Sequence, residues 1–163
     1  MLKIEHKSKV SKYDKILKGF SVYECVVGIP KGKASRDDGS HINNATIGYI
    51  NERGDAFRHI PARPHLLPGV RRVSGMIVSL LRQGMRKSLR EGEEFKKTLS
   101  RCGLAASGSV KTLITEGLKP ALAKSTIERR QKQSGGDHTG DIPLIDTGNY
   151  KAHITYAIRL KGK

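Results

Sequence analysis

The chain has 163 residues, a length that suggests one domain over 1–163, and its 31 Lys+Arg against 15 Asp+Glu leave a formal charge of +16 at pH 7. A surface this cationic calls for an anionic neighbour, whether nucleic acid, an anionic membrane or an acidic protein face. No apolar run reaches the roughly 18 to 20 residues of a membrane span and the N-terminus has no signal-peptide core, so residence in the cytosol is expected.

In chain order, Val10, Tyr13, Ile16 and Leu17 recur at spacings of three and four among lysines, a short amphipathic helix within 1–19, with a flexible basic start over about 1–10. Tyr23, Cys25, Val27 and Ile29 alternate within 20–29 and read as a strand ended by Pro30. Residues 31–44 mix Gly, Ser, Asp and Asn with charge and read as an exposed, mobile loop between hairpin strands, the second strand being ATIGYIN at 45–51. Three prolines, Pro61, Pro64 and Pro68, make the next segment a stiff extended connector.

From Val70 the period becomes helical. Val70, Val73, Ile77, Leu80, Leu81 and Gly84 form one stripe, and Arg71, Arg82, Arg86 and Arg90 collect on the other side. Phe95, Leu99 and Cys102 continue the spacing after a break near Gly92. The small residues of 103–108 precede a separate helix through Val110, Leu113 and Ile114, which Gly117 and Pro120 stop. Ser125 and Glu128 have capping-box spacing ahead of a short helix over 126–133, and 134–141 read as a flexible loop. Alternation at Ala152, Ile154, Tyr156, Ile158 and Leu160 marks the last strand. In the turn before it, Asp146 can accept a backbone N–H and Gly148 can take a positive φ, so Asp146, Thr147 and Gly148 set the strand's entry angle.

Little here points to chemistry. The six histidines are scattered without metal-ligand spacing, and His59 and His65 read as exposed loop residues. The glycine-rich stretches lack the arrangement of a phosphate cradle. The adjacent pairs Asp37-Asp38 and Glu93-Glu94 point apart and offset nearby lysines. Cys25 and Cys102 read as buried reduced thiols. No catalytic residue, metal site or cofactor is expected, and an enzyme is the less favoured class. Sequence-specific DNA reading is poorly supported, since the basic helix lacks a helix-turn-helix partner and aromatics are few, whereas non-specific phosphate contact stays open. Arg63, held between prolines, reads either as an interface anchor able to grip a carboxylate or as a solvent-exposed loop residue.

Two segments carry a family resemblance. IPARPHLLPGV at 60–70 and PLIDTGNYKAHITYAIR at 143–159 resemble segments of the tail-completion and neck proteins of long-tailed bacteriophages, and the helices between them follow the same order, so the likeness spans residues 20–160. His65 stands where Phe is commoner, Asn149-Tyr150 replaces a polar-plus-Leu pair, and Ala152-His153 replaces Asn-Ser, changes expected to alter interface detail more than fold. The resemblance implies an α+β subunit, with a small antiparallel sheet packed against one long and several shorter helices, that assembles with itself into a ring, usually sixfold. It further implies head-connector and tail-tube proteins as neighbours, possible non-specific contact with genomic DNA, no membrane, and a place in the virion neck or head-proximal tail after assembly in the host cytoplasm. It leaves open which layer of the neck the chain occupies. The DNA channel or an acidic neighbour is then the expected facing surface of Arg71, Arg82, Arg86 and Arg90. A free nucleic-acid-binding module is the alternative.

Overall fold

In the computed structural model the described residues are 14, 16–35, 42–133, 140–146 and 148–162. The expected flexibility of 1–10 and of 134–139 concerns residues outside this set, as does the middle, 36–41, of the mobile loop expected over 31–44, whose described ends hold a 3-10 turn at Lys31–Lys33 and the start of a helix at Asn44. The fold is α+β: a two-stranded antiparallel sheet packed against helices. The elements are a helix α1 (16–22), β1 (Tyr23–Gly28), α2 (Asn44–Arg53), α3 (Leu66–Arg72), α4 (Ser74–Glu91), α5 (Phe95–Thr115), α6 (Lys124–Gln133), α7 (Asn149–His153) and β2 (Thr155–Leu160). Two helices are long: α4 has 18 residues and α5 has 21.

The two strands come from opposite ends of the chain and pair from Tyr23 opposite Leu160 to Gly28 opposite Thr155. The hairpin expected between 20–29 and 45–51 is therefore not formed. Residues 20–22 belong to α1, where Phe20 meets Phe95 edge to face at 4.5 Å between ring centroids. Residues 45–51 are helical. Asn43 Oδ1 accepts the Thr46 backbone N–H at 2.8 Å, an N-cap that starts α2. Asn44, Ile47, Gly48, Asn51 and Glu52 are its inward or half-buried positions, a helical stripe whose polar and small members hid the period behind β-branched residues.

α5 is the centre of the molecule, touching α3, α4 and both strands. The apolar core gathers at its C-terminal half, where Val110 and Ile114 pack with Leu118, Tyr150 and Ile154. The stretch 103–108 does not separate two helices, because its small residues are contact points within one. An added Cβ on Gly103 would lie 2.4 Å from Tyr156 Cγ, one on Gly69 of α3 2.7 Å from Val110 Cα, and one on Gly84 of α4 would overlap the Thr98 side chain. Glycine thus lets α3, α4 and β2 approach the hub closely.

The proline segment is extended only through His65. Pro68 lies in the first turn of α3, where a missing N–H costs no intrahelical bond, so the helix begins four residues before the expected Val70. α3 and α4 are separate, broken at Val73. Gly92, in the left-handed region at φ 74, ends α4 as expected near that residue. α6 begins at Lys124, placing Ser125 inside the helix and not at its N-cap. The last strand is shorter than its alternation suggests, because Asn149–His153 form α7 before β2 begins. Gly148 does take a positive φ, 76, but it opens this helical turn and not the strand directly.

Candidate functional site

The four arginines expected on one face are exposed: Arg71 on α3 and Arg82, Arg86 and Arg90 on α4. They lie away from Ile77, Leu81, Gly84 and Ser88, which are buried or half-buried against the rest of the molecule. Among the described residues none of the four has a carboxylate within ion-pair distance, whereas Arg72 beside them bonds Glu116 and Arg101 reaches Glu93 at 3.3 Å. Val78 and Met85, about half exposed, sit on the same helix. Arg82, Arg86 and Arg90 recur every four residues and form one basic stripe along α4, with Val78 a turn before it, while Arg71 lies on a separate helix; the stripe repels a like surface at low salt.

At the start of α3 lies a buried polar network that spacing did not reveal. α3 has no capping side chain of its own at His65. Glu52, from the last turn of α2, does that work: its carboxylate accepts the backbone N–H groups of His65 at 2.8 Å, Leu66 at 2.9 Å and Leu67 at 3.2 Å. Burial acts to raise the Glu52 pKa, but these three donors, with His65 beside them, outweigh it and hold the carboxyl below its usual value.

His65 is not the exposed loop residue expected; it is fully buried. Its Nδ1 lies 2.9 Å from the Arg63 carbonyl oxygen and 3.1 Å from Glu52 Oε2, both acceptors, so Nδ1 carries the hydrogen. Nε2 therefore accepts from the Tyr150 hydroxyl, 2.5 Å away. Burial lowers the His65 pKa despite the raising effects of the Arg63 carbonyl and Glu52, so the ring is neutral and its contact with Glu52 is a hydrogen bond, not an ion pair. Burial, and then the Glu52 charge, push the Tyr150 phenol well above its usual value. His59, by contrast, is exposed as expected.

Arg63 is not the solvent-exposed loop residue of one of its two expected roles. It is 6% exposed, donating from Nε to the Pro120 carbonyl at 2.7 Å and from Nη2 to the Ala121 carbonyl at 3.0 Å. It staples the proline segment to the chain after α5 and is not on the basic face. Arg130 of α6 does similar work, donating from Nη1 to the Ile145 carbonyl at 2.9 Å and lying 3.6 Å, through Nε, from Asp146 Oδ1. Asp146 and Gly148 thus belong to a turn fastened by Arg130, and Thr147 lies outside the described residues. Asn44, fully buried, donates to Asn149 Oδ1 at 2.9 Å and ties α2 to α7.

The network joins α2, the proline segment, α3 and α7. The only advance signal for it was the absence of a capping residue before α3, an orphaned helix start that some distant acceptor had to satisfy. Among the described residues no cluster of three His, Cys, Asp or Glu could hold a metal ion, and no helix is long and apolar enough to cross a membrane. Cys102 is buried and Cys25 half-buried, both as free thiols whose pKa burial raises. No protein-family model, curated protein or solved structure matches the chain.

Proposed function

We propose that the chain is a structural virion subunit of a tailed bacteriophage: a tail-completion or neck protein that forms a ring with copies of itself, joins the tail to the head connector and leaves a channel for DNA. The observation that carries this reading is the meeting of the two segments on which the resemblance rests. His65, from 60–70, is bonded to Tyr150, from 143–159, beside the core at the end of α5. The two segments that resemble the family meet beside the core, joined by His65 and Tyr150, two positions at which the chain departs from the family's pattern.

Two further features support self-assembly. Each strand has one hydrogen-bonded neighbour among the described residues, which leaves the outer edges of a two-stranded sheet to be covered. Phe57, 94% exposed, Tyr49 and Leu104 offer apolar surface for neighbouring subunits to bury. In the ring, the arginines of α3 and α4 face DNA or the acidic surfaces of adjoining connector and tail-tube layers. Sizing of the purified chain tests the reading: a discrete ring is expected, and a monomer at every concentration overturns it. Particles assembled without the gene product are expected to show separated heads and tails or tails of irregular length.

Arg71, Arg82, Arg86 and Arg90, exposed and without an ion-pair partner among the described residues, favour a second reading, a non-specific nucleic-acid-binding module. That reading requires a monomer whose DNA affinity falls steeply with salt. Four neutralised phosphates would give a log–log slope of about −3 to −4.

A further inference from the structure

A cavity of about 190 Å³ lies between the proline segment, α6 and the turn at 143–146, lined by Asn51, Arg63, Leu122, Arg130, Asp146 and Tyr150 among others. Two guanidinium groups meet there. Arg63 is more than nine-tenths buried, and Arg130 keeps 13% of its side chain exposed. Burial, and then the Arg130 charge, hold the Arg63 pKa below its usual value.

The two arginines differ in their charged neighbours. Asp146 lies 3.6 Å from Arg130, but among the described residues no carboxylate comes within ion-pair distance of Arg63. Its two bonds to carbonyls occupy two of the five N–H donors of a guanidinium. A mostly buried cation gains from an anionic partner. Carbonyl oxygens solvate it but do not cancel its charge. The cavity is large enough for a carboxylate or a phosphate group, and the planar fork of Arg63 matches the paired oxygens of either.

We propose that the cavity between Arg63 and Arg130 is a binding site for one small oxyanion, supplied either as free phosphate or as the carboxylate side chain of a neighbouring copy of the chain. This inference does not rest on the ring reading, because a monomer can hold free phosphate in the same place. Asp146, mostly exposed, competes for Arg130 and sets the affinity. Asn51 faces the same space, where a carboxylate in its place would act as a built-in ligand.

The test is calorimetric titration of the full chain with inorganic phosphate, with chloride adjusted to hold ionic strength constant. One saturable site per chain is expected. Asp146→Asn is expected to tighten binding several-fold, and Arg63→Met to weaken it roughly tenfold to a hundredfold, as loss of a charged hydrogen-bond donor implies. Should Arg63→Met fail to fold, Asn51→Asp keeps the test decisive: it is expected to abolish phosphate binding while raising the thermal midpoint measured without phosphate. Absence of saturation, or equal affinity in wild type and Asn51→Asp, overturns the proposal and assigns any binding to the basic exterior. Sizing with and without saturating phosphate identifies the source. Dissociation of assembled copies points to a neighbour's carboxylate, and an unchanged profile points to the free anion.

Discussion

The claim that α5 is approached through glycine is tested by two substitutions on that helix, Gly103→Ala and Gly108→Ala. Both sit in its interior, where Ala is favoured over Gly by about 0.8 to 1 kcal/mol. Their surroundings differ. A Cβ at Gly108 meets nothing within 4 Å, whereas one at Gly103 lies 2.4 Å from Tyr156 Cγ, 2.5 Å from Cδ2 and 2.8 Å from Cβ. Those atoms are the root of the side chain, so the ring cannot swing clear without moving β2, to which Tyr156 belongs, and β2 is held to β1 along six residue pairs. Overpacking of this kind typically costs about 1 to 3 kcal/mol and here exceeds the propensity gain. Gly108→Ala is expected to raise the unfolding free energy by about 0.5 to 1 kcal/mol, and Gly103→Ala to lower it by up to about 2 kcal/mol. Urea unfolding followed by circular dichroism measures both, with the slope checked for constancy. Equal stabilisation by the two alanines would refute the close approach of β2 to α5.

Tyr150→Phe strands the Nε2 acceptor of a fully buried His65 and is expected to cost about 1 to 3 kcal/mol in the same assay, more than removal of the hydroxyl from exposed Tyr49. The folded-state pKa values of both His65 and Glu52 are depressed, so unfolded chains bind more protons in acid. Stability is therefore expected to fall as pH drops below about 6.5, through His65, and further below about 4.5, through Glu52. An NMR titration in which the His65 ring gains its proton at or above 6.5 refutes the neutral assignment. Replacing Arg82, Arg86 and Arg90 by Gln is expected to leave the unfolding midpoint within about 0.5 kcal/mol of wild type while lowering the salt slope of any DNA binding by about 3. The Cys25 and Cys102 thiols, raised by burial, are expected to react slowly with a disulfide reagent at pH 8 and at full rate in denaturant.

What was legible in the sequence followed from period and punctuation. The stripe from Ile77 to Gly84 and the stop at Gly92 come through because apolar side chains and a left-handed glycine occupy the deciding positions, whereas the break at Val73 carries no such mark. α2 did not, because its inward stripe is built of Asn44, Gly48, Asn51 and Glu52 with one isoleucine, while its β-branched residues mimic a strand. The pairing of β1 with β2 is a contact between chain ends, which no local pattern encodes. His65 and Arg63 looked like loop residues because a proline-rich segment is normally a surface connector. Here it runs under α2 and beside the turn before α6, and its polar side chains replace the backbone bonds that such a segment cannot make for itself.

The cationic residues fall into two physical populations that composition merges into one number. Arg63 and Arg130 are enclosed, bonded to carbonyls of segments distant in sequence, and insensitive to salt because little solvent separates them from their partners. Arg71, Arg82, Arg86 and Arg90 are exposed, unpaired among the described residues, and governed by screening. Raising salt therefore weakens whatever the outer set holds while leaving the inner staples in place. It follows that loss of a neighbour at high salt, with an unchanged unfolding midpoint, locates that neighbour on the outer arginines, whereas a midpoint that moves with phosphate but not with chloride in wild type, and does not move in Asn51→Asp, locates its ligand at Arg63.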